Sequence, residues 1–256
     1  MAGIETLAPD ARAKLGTLAS SLRTAFGQDL LSVVLYGSAA RGDAVGEGRS
    51  DLNVVVIVKD LSLESLERAT PVTRTWESAG NQPLLFFSPE WIDRSSDVFP
   101  LEFLDMREWH VVVEGTDPFD RLSVAPGNLR VQCESELKTK LIHLRTGYME
   151  LHQDGEALAR LLAASYAPMV ALCRGVLRLA GKEVPLRGHE AVRLASELCG
   201  FDPAPFQDVE AVKKGGARAA SVAVKPLFRR YYAQVETMAK AVDAGWQDGA
   251  RGGARS

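Results

Sequence analysis

Apolar and polar residues in the first part of the chain form a helical pattern and then two continuous apolar runs. From Ile4 to Phe26, apolar residues recur every three or four positions, which is the spacing of one face of a helix. The runs LLSVVLY (30–36) and LNVVVIV (52–58) are each as long as a strand and rich in β-branched residues. Because neither run alternates with polar residues, we predict two central strands that are covered on both faces.

The next stretch of sequence predicts one helical region and two further strands. Residues 61–78 have helical spacing that is interrupted at Pro71, a residue that cannot lie in a helix interior without cost. PLLFFS (83–88) and EWHVVVEG (108–115) are short apolar runs bounded by polar or turn-forming residues. We predict both runs as strands.

After about residue 129 the pattern changes to helical spacing throughout. No run in this part predicts a strand, and Pro168 lies inside one predicted helix, where we expect a bend. We therefore expect residues 129–245 to be helical, with amphipathic helices over 137–151, 158–179, 191–198 and 227–242.

This change of pattern predicts a domain boundary within RLSVAPGNLR (121–130). The predicted domains are an α/β domain over residues 1–125 and a helical bundle over 126–246. A polar, glycine-rich segment over 247–256 is predicted to be a flexible tail. The predicted fold class is α+β, with a mixed sheet and flanking helices followed by an all-helical bundle.

Composition and the distribution of apolar residues indicate which classes of partner and which cellular location to expect. The chain has 256 residues, a net charge of −3 and a pI of about 5.9, so a broadly basic surface is not indicated and nucleic acid is not expected as a partner. The N-terminus lacks the basic and apolar regions of a secretory signal, and no apolar run approaches the ~20 residues of a membrane span. We expect a cytoplasmic protein with no membrane partner.

Cysteines, histidines and tryptophans are interpreted as structural. The three cysteines are widely spaced and show no metal-binding pattern, so we predict small buried hydrophobes. The tryptophans are predicted as core or interface residues. No histidine has an acid at a useful spacing, so none is predicted as a general base; the four are His110, His143, His152 and His189.

Candidate chemistry lies between the two central strands. Gly37 permits a tight turn and close approach of a ligand, and Ser38 would begin a short helix whose free N–H groups and hydroxyl can hold phosphate. Arg41, one turn further, adds positive charge. Asp51 and Asn53 point to one face of the second strand, where two carboxylates could share divalent ions that bridge triphosphate oxygens. Gly-Ser after a strand is by itself usually a simple turn, but this combination is more specific.

The combined pattern resembles the signature of the nucleotidyltransferase superfamily. That signature is an apolar strand, Gly-Ser, an intervening segment and then Asp-hydrophobic-acid-hydrophobic. LYGSAARGDAVGEGRSDLNVVVIV matches it in strand placement, with 12 intervening residues, but has Asn53 instead of the second acid. Members resemble DNA polymerase β in fold and include aminoglycoside and minimal nucleotidyltransferases. The likeness covers about residues 30–120, and the helical second half resembles the aminoglycoside enzymes in shape only.

The resemblance implies a role for each matching residue. Gly37 and Ser38, together with Arg41, would bind a nucleoside triphosphate. Mg²⁺ would be held by Asp51, with Asn53 at the position of the second acid. The substitution at residue 53 removes one negative charge from the implied metal site, and Mg²⁺ prefers anionic oxygens.

A third acid would complete the metal site or act as a base towards the acceptor hydroxyl. The family has this acid on the following strand, but the predicted strand over 83–88 has none. Nearby candidates are Glu90, Glu102 and Asp105. Glu102 is predicted to be catalytic, together with Asp51, because apolar neighbours in FPLEFLDM suggest that Glu102 points into a cleft.

Three functions follow from these residues. The first is transfer of a nucleoside monophosphate from a nucleoside triphosphate to a hydroxyl of a small molecule or a protein, with Mg²⁺ as the cofactor. The second is a catalytically degenerate nucleotide-binding or interaction module, because two of the three expected carboxylates are absent or displaced. The third, a purely structural domain, is the least favoured because the Gly-Ser pair and Asp51 are still present.

Overall fold

A computed structural model of the protein describes residues 4–42, 52–215 and 223–245. The chain divides into two compact units, Met1–Val124 and Ala125–Ser256. The segment predicted to be a flexible tail, 247–256, lies outside the described residues.

The first unit is built on a mixed sheet, as the sequence predicts. In the described part of this unit the sheet has four strands, in the order β3-β2-β1-β4. β1 is antiparallel to both of its neighbours, whereas β2 and β3 are parallel. The two continuous apolar runs are therefore the central strands, as predicted. The strands are β1 Leu30–Tyr36, β2 Asn53–Val58, β3 Leu85–Phe87 and β4 His110–Gly115.

Each face of the sheet is covered by helices because both central strands are apolar on both sides. On one face, Val54 and Val56 of β2 pack with Leu15 and Leu22 of the long N-terminal helix. On the other face, a second apolar cluster joins strand residues to residues of the later helices and of the segment after β4; it contains Val34, Val55, Ile57, Ile92, Phe103, Met106 and Phe119. Asn53 shares this second face with Val55 because side chains alternate along a strand.

The helices of the first unit begin where the local sequence favours a helix start. Pro71 lies in the first turn of a helix rather than in its interior, so the predicted region over 61–78 divides into two short helices. Ser62 and Ser88 cap two helices by accepting a hydrogen bond from a backbone N–H three residues on. The helices are α1 Pro9–Phe26, α2 Ser38–Arg41, α3 Leu63–Glu67, α4 Thr70–Ser78, α5 Pro89–Ser95 and α6 Pro100–Glu108.

The second unit is helical, and this prediction is confirmed: within 125–215 and 223–245 the regular structure is all helix. A central helix, α8, packs against the other four helices described there and contains Pro168 in its interior. The helices are α7 Pro126–Leu151, α8 Gly155–Leu179, α9 Gly188–Cys199, α10 Ala204–Lys214 and α11 Val224–Ala244.

One helix among the described residues, α8, is long and apolar enough to cross a membrane by length and composition alone. Core helices of globular bundles have the same properties, because they are surrounded by other helices. The position of α8 at the centre of its bundle explains its apolar composition without a membrane.

All three cysteines lie buried in the second unit, as predicted. Cys133 and Cys173 are inaccessible to solvent, and Cys199 is 8% exposed. Burial raises the pKa of the Cys173 thiol, and it raises the pKa of Cys199 to about 11. Both thiols are therefore held in the uncharged and unreactive form.

We expect a chromogenic thiol reagent to modify almost none of these cysteines in the folded protein near pH 8. A thiol with a pKa of about 11 is ionised in about one molecule in a thousand at that pH, and burial blocks the reagent as well. Three thiols per chain should react after denaturation in guanidinium. Rapid reaction of one native thiol would contradict this environment.

Candidate functional site

Gly37 forms the turn that leads from β1 into α2. Its backbone has φ 80° and ψ −152°, a region that is open to glycine and strained for other residues. Ser38 follows as the first residue of α2, and the N–H of Arg41 donates to the carbonyl oxygen of Gly37 at 3.1 Å. The structure therefore places the Gly-Ser pair between the first strand and a short helix, as the sequence predicts.

Asn53 lies beside this turn because β2 is paired with β1. The register pairs Tyr36 with Asn53, so the first residue of β2 is opposite the last residue of β1. A Cβ atom at position 37 would lie 2.9 Å from Nδ2 of Asn53. The absence of a side chain at Gly37 thus allows the Asn53 amide to pack directly against the turn.

Asp51, predicted as both a catalytic and a metal-binding residue, lies outside the described residues. Its roles in catalysis and metal binding therefore stay predictions. Leu52, next to it, is buried in the apolar cluster beneath α1. The alternation of β2 then directs Asn53 to the opposite face, the face that α6 covers.

A row of three polar residues crosses this face of the sheet at the end where β1 meets α2. Tyr36 is paired with Asn53 on one side and with His110 of β4 on the other. Tyr36 is half-buried, and burial raises the pKa of its phenol. The phenol is therefore protonated at neutral pH and can donate a hydrogen bond.

His110 has an acidic partner, so the prediction that no histidine has one is wrong. Nε2 of His110 lies 3.1 Å from Oδ2 of Asp117, and the ring is almost fully buried. The other oxygen of Asp117 accepts the N–H of Phe119 at 2.8 Å, and the Phe119 ring meets the imidazole edge-on. Gly115, with φ 88°, allows the chain to turn back after β4 and brings Asp117 to the histidine.

Arg41 lies against α6. Its Nη1 atom is 3.7 Å from Oδ2 of Asp105, and its guanidinium carbon is 5.5 Å from the centre of the Trp109 ring. The Arg41 side chain is 13% exposed and that of Asp105 is 24% exposed. Arg41, which was predicted to bind phosphate, is therefore in contact with the carboxylate of Asp105, one of the candidates for the third acid.

Glu102 is exposed in the first turn of α6, and its catalytic role stays a prediction. In a helix, the residues on either side of Glu102 point in different directions, so Leu101 and Phe103 are buried while Glu102 is not.

Glu90 is also exposed, and its side chain forms an ion pair with Arg94 at 3.2 Å. Asp105, another of the three candidates for a third acid, contacts Arg41 in the short helix that follows Gly37.

The donor atoms in the described ranges do not by themselves fit a Mg²⁺ site. Among residues 4–42, 52–215 and 223–245, no group of three or more His, Cys, Asp or Glu residues is arranged to hold a metal. Asn53 brings an amide rather than a carboxylate, and its nitrogen faces the turn at Gly37. Mg²⁺ prefers anionic oxygen ligands, so such a site would need carboxylates from outside the described ranges, such as the predicted ligand Asp51.

The sheet, its flanking helices and the helical second unit together have a nucleotidyltransferase-like fold. The structure is similar to that of a spectinomycin adenyltransferase from Enterococcus faecialis, which was crystallised with ATP and spectinomycin. The TM-score is 0.52 and the sequence identity is 12%, over 88% of this chain and 99% of the adenyltransferase chain. At this identity the likeness concerns the fold alone. No protein-family model and no curated protein matches the sequence.

Proposed function

We propose that the first unit binds a nucleoside triphosphate at the Gly37–Ser38 turn, and that the protein transfers a nucleoside monophosphate from it to a hydroxyl acceptor. The observation that carries this proposal is the turn itself. Gly37 has a backbone conformation suited to glycine, and the turn lies against the first residue of the neighbouring strand in a nucleotidyltransferase-like fold. A fold without this turn would support no particular ligand.

In this proposal each residue near the turn has a physical task. Gly37 lets phosphate oxygens approach the backbone, while the hydroxyl and N–H of Ser38 donate hydrogen bonds to those oxygens. Arg41 supplies a positive charge in a fork that matches phosphate geometry. The protonated phenol of Tyr36, beside Asn53, is a further donor on the same face of the sheet.

The proposed reaction is a displacement at phosphorus. The acceptor oxygen forms a bond to the α-phosphorus, the bond from that phosphorus to the pyrophosphate oxygen breaks, and the hydroxyl proton passes to a base. A carboxylate is the proposed base: Asp51 and Glu102 are the catalytic residues that the sequence suggests, and Asp105 is a candidate acid that contacts Arg41.

The proposed acceptor is a small molecule with a free hydroxyl. The adenyltransferase of similar fold was crystallised with the small molecule spectinomycin as well as ATP. A protein acceptor is the other outcome that a transfer assay would detect.

A second candidate is a module that binds the nucleotide without transferring it. The specific observation in its favour is Asn53, which replaces the second acid and turns its amide nitrogen towards Gly37. With one certain carboxylate in the motif, Mg²⁺ binding should be weak. This candidate and the enzyme share the nucleotide-binding turn and differ only in chemistry.

Calorimetric titration with ATP, GTP, CTP and UTP, in Mg²⁺ and in EDTA, tests the shared part of the proposal. We expect weak binding of at least one triphosphate with little dependence on Mg²⁺, because Asn53 contributes no charge. Incubation with each α-labelled triphosphate and a set of hydroxylated small molecules then separates the two candidates. Transfer of label supports the enzyme, and binding without transfer supports the module. Failure of all four triphosphates to bind would overturn both.

A further inference from the structure

Arg41, Asp105 and Trp109 form a cluster on the side of the turn that faces α6. Asp105 lies near the end of α6, and Trp109 is the residue directly after that helix. The Arg41 guanidinium is close to both: Nη1 is 3.7 Å from the carboxylate, and the central carbon is 5.5 Å from the indole centre. The end of one helix therefore presents both an ionic and an aromatic partner to a single cation.

This contact is less exposed to solvent than an ordinary surface ion pair. The Arg41 side chain is 13% exposed, and partial burial limits the screening of charges by water and salt. Packing of the guanidinium against an indole face adds a cation–π contribution. Arg41 is thus held by α6 and is not simply a solvated cation.

We propose that Asp105 competes with the triphosphate for Arg41 and so determines how tightly the nucleotide is bound. This inference rests on the proposed function. A triphosphate at the Gly37–Ser38 turn would lie within reach of Arg41, which follows in the same short helix. Phosphate oxygens offer the guanidinium a bidentate partner with more negative charge than one carboxylate. Arg41 then exchanges Asp105 for phosphate and moves away from Trp109.

Two consequences distinguish this competition from other roles of Asp105. Removing the carboxylate charge should tighten triphosphate binding, since Arg41 is then released to the phosphate and one repulsive charge is lost. If Asp105 were a metal ligand or a structural contact that holds the turn, removing it would weaken binding instead. The exchange should also change the fluorescence of Trp109, because a cation leaves its ring.

The test uses the full chain, with ATP and inorganic tripolyphosphate as probes in EDTA. We expect Asp105→Asn to tighten the binding of both probes about three- to tenfold, which corresponds to the loss of a partly buried charge contact. The matched control is Glu108→Gln, which removes an equal charge from an exposed position on the same helix. It should change either affinity by less than about twofold, because exposed charges are screened.

A double-mutant cycle asks whether Asp105 acts through Arg41. In an Arg41→Gln background, Asp105→Asn should give no more tightening than Glu108→Gln does. Titration with tripolyphosphate should change the tryptophan emission of the wild type, and Trp109→Phe should remove that change.

Weaker probe binding by a folded Asp105→Asn, equal tightening with and without Arg41, or an emission change that survives Trp109→Phe would each overturn the competition while leaving nucleotide binding intact. Absence of probe binding in every variant would overturn the inference, and the proposed function would fall with it if none of the four triphosphates bound in Mg²⁺ either. Binding by Asp105→Asn but not by the wild type would support both.

Discussion

Gly37→Ala is expected to lower triphosphate affinity more than tenfold, or about 1.4 kcal/mol, and to destabilise the fold. At φ 80° and ψ −152° an alanine is strained by about 1–3 kcal/mol. Its Cβ would also lie 2.9 Å from Nδ2 of Asn53, so the turn or the amide must move. Displacement of the turn moves the Ser38 hydroxyl and N–H groups, which are the proposed phosphate donors. Calorimetry with ATP and thermal unfolding measure the two effects.

Gly42→Ala is the matched control. Gly42 also has a positive φ, 73°, but no atom of the described residues lies within 4 Å of the place where its Cβ would be. Alanine there costs about 1–2 kcal/mol of backbone strain without disturbing Asn53. We expect both variants to be destabilised, Gly37→Ala the more because of the collision, and a large loss of affinity only from Gly37→Ala. An equal loss of affinity in the two variants would remove the turn at Gly37 from the proposed site.

Replacing Asn53 in the Gly37→Ala variant separates strain from collision. Asn53→Ala removes the amide nitrogen that meets the new Cβ, but leaves the backbone conformation of residue 37 unchanged. We expect the double variant to regain part of the thermal stability that Gly37→Ala loses, namely the part that is lost through the collision. Full recovery would mean that backbone strain at Gly37 is negligible, and no recovery would mean that the collision is relieved by other movements.

Asn53→Asp is expected to strengthen Mg²⁺-dependent binding of ATP about tenfold, because it returns one negative charge to the place where the motif has its second acid. The same variant should bind ATP more weakly in EDTA than the wild type does, since the new carboxylate then repels the phosphates. This opposite effect in the two buffers is the signature of a metal ligand. Turnover need not appear, because a base must also be present.

Asn53→Ala and Asp51→Asn are the controls for this experiment. Asn53→Ala removes the amide without adding charge, so it should not create a dependence on Mg²⁺. Asp51→Asn in the Asn53→Asp background should abolish the gained dependence if both residues hold the ion. Equal changes in Mg²⁺ and in EDTA for Asn53→Asp would show that residue 53 does not contact a metal, and would favour the module that binds nucleotide without transfer.

Local sequence was sufficient to predict the sheet and the turn. Apart from Ser32 and Asn53, the runs over 30–36 and 52–58 are apolar on both faces, so they fit a position covered on both sides, and they form β1 and β2. The Gly-Ser pair was predictable because positive φ is a property of glycine that no neighbour needs to impose. Helical spacing in the second half was equally local, since each helix carries its own apolar face.

The segment 100–108 shows where local pattern was insufficient. Four apolar residues of α6 are buried around much of its circumference, namely Leu101, Phe103, Leu104 and Met106, so no single apolar stripe marks it as a helix. Without the helix, Glu102 seemed to share the buried environment of its neighbours. With the helix in place, Glu102 is exposed and Asp105 lies beside Arg41.

The sequence by itself determined the strands, the helical second unit and the Gly37–Ser38 turn, because each depends on the periodicity or backbone freedom of adjacent residues. Only the tertiary structure decided that Asp105 meets Arg41 and that Asp117 meets His110. These pairs join residues from separate elements, and their approach is set by how α6 packs on the sheet and how the chain turns at Gly115. Charge pairs of this kind follow from how the elements pack, so the spacing of residues along the chain does not predict them.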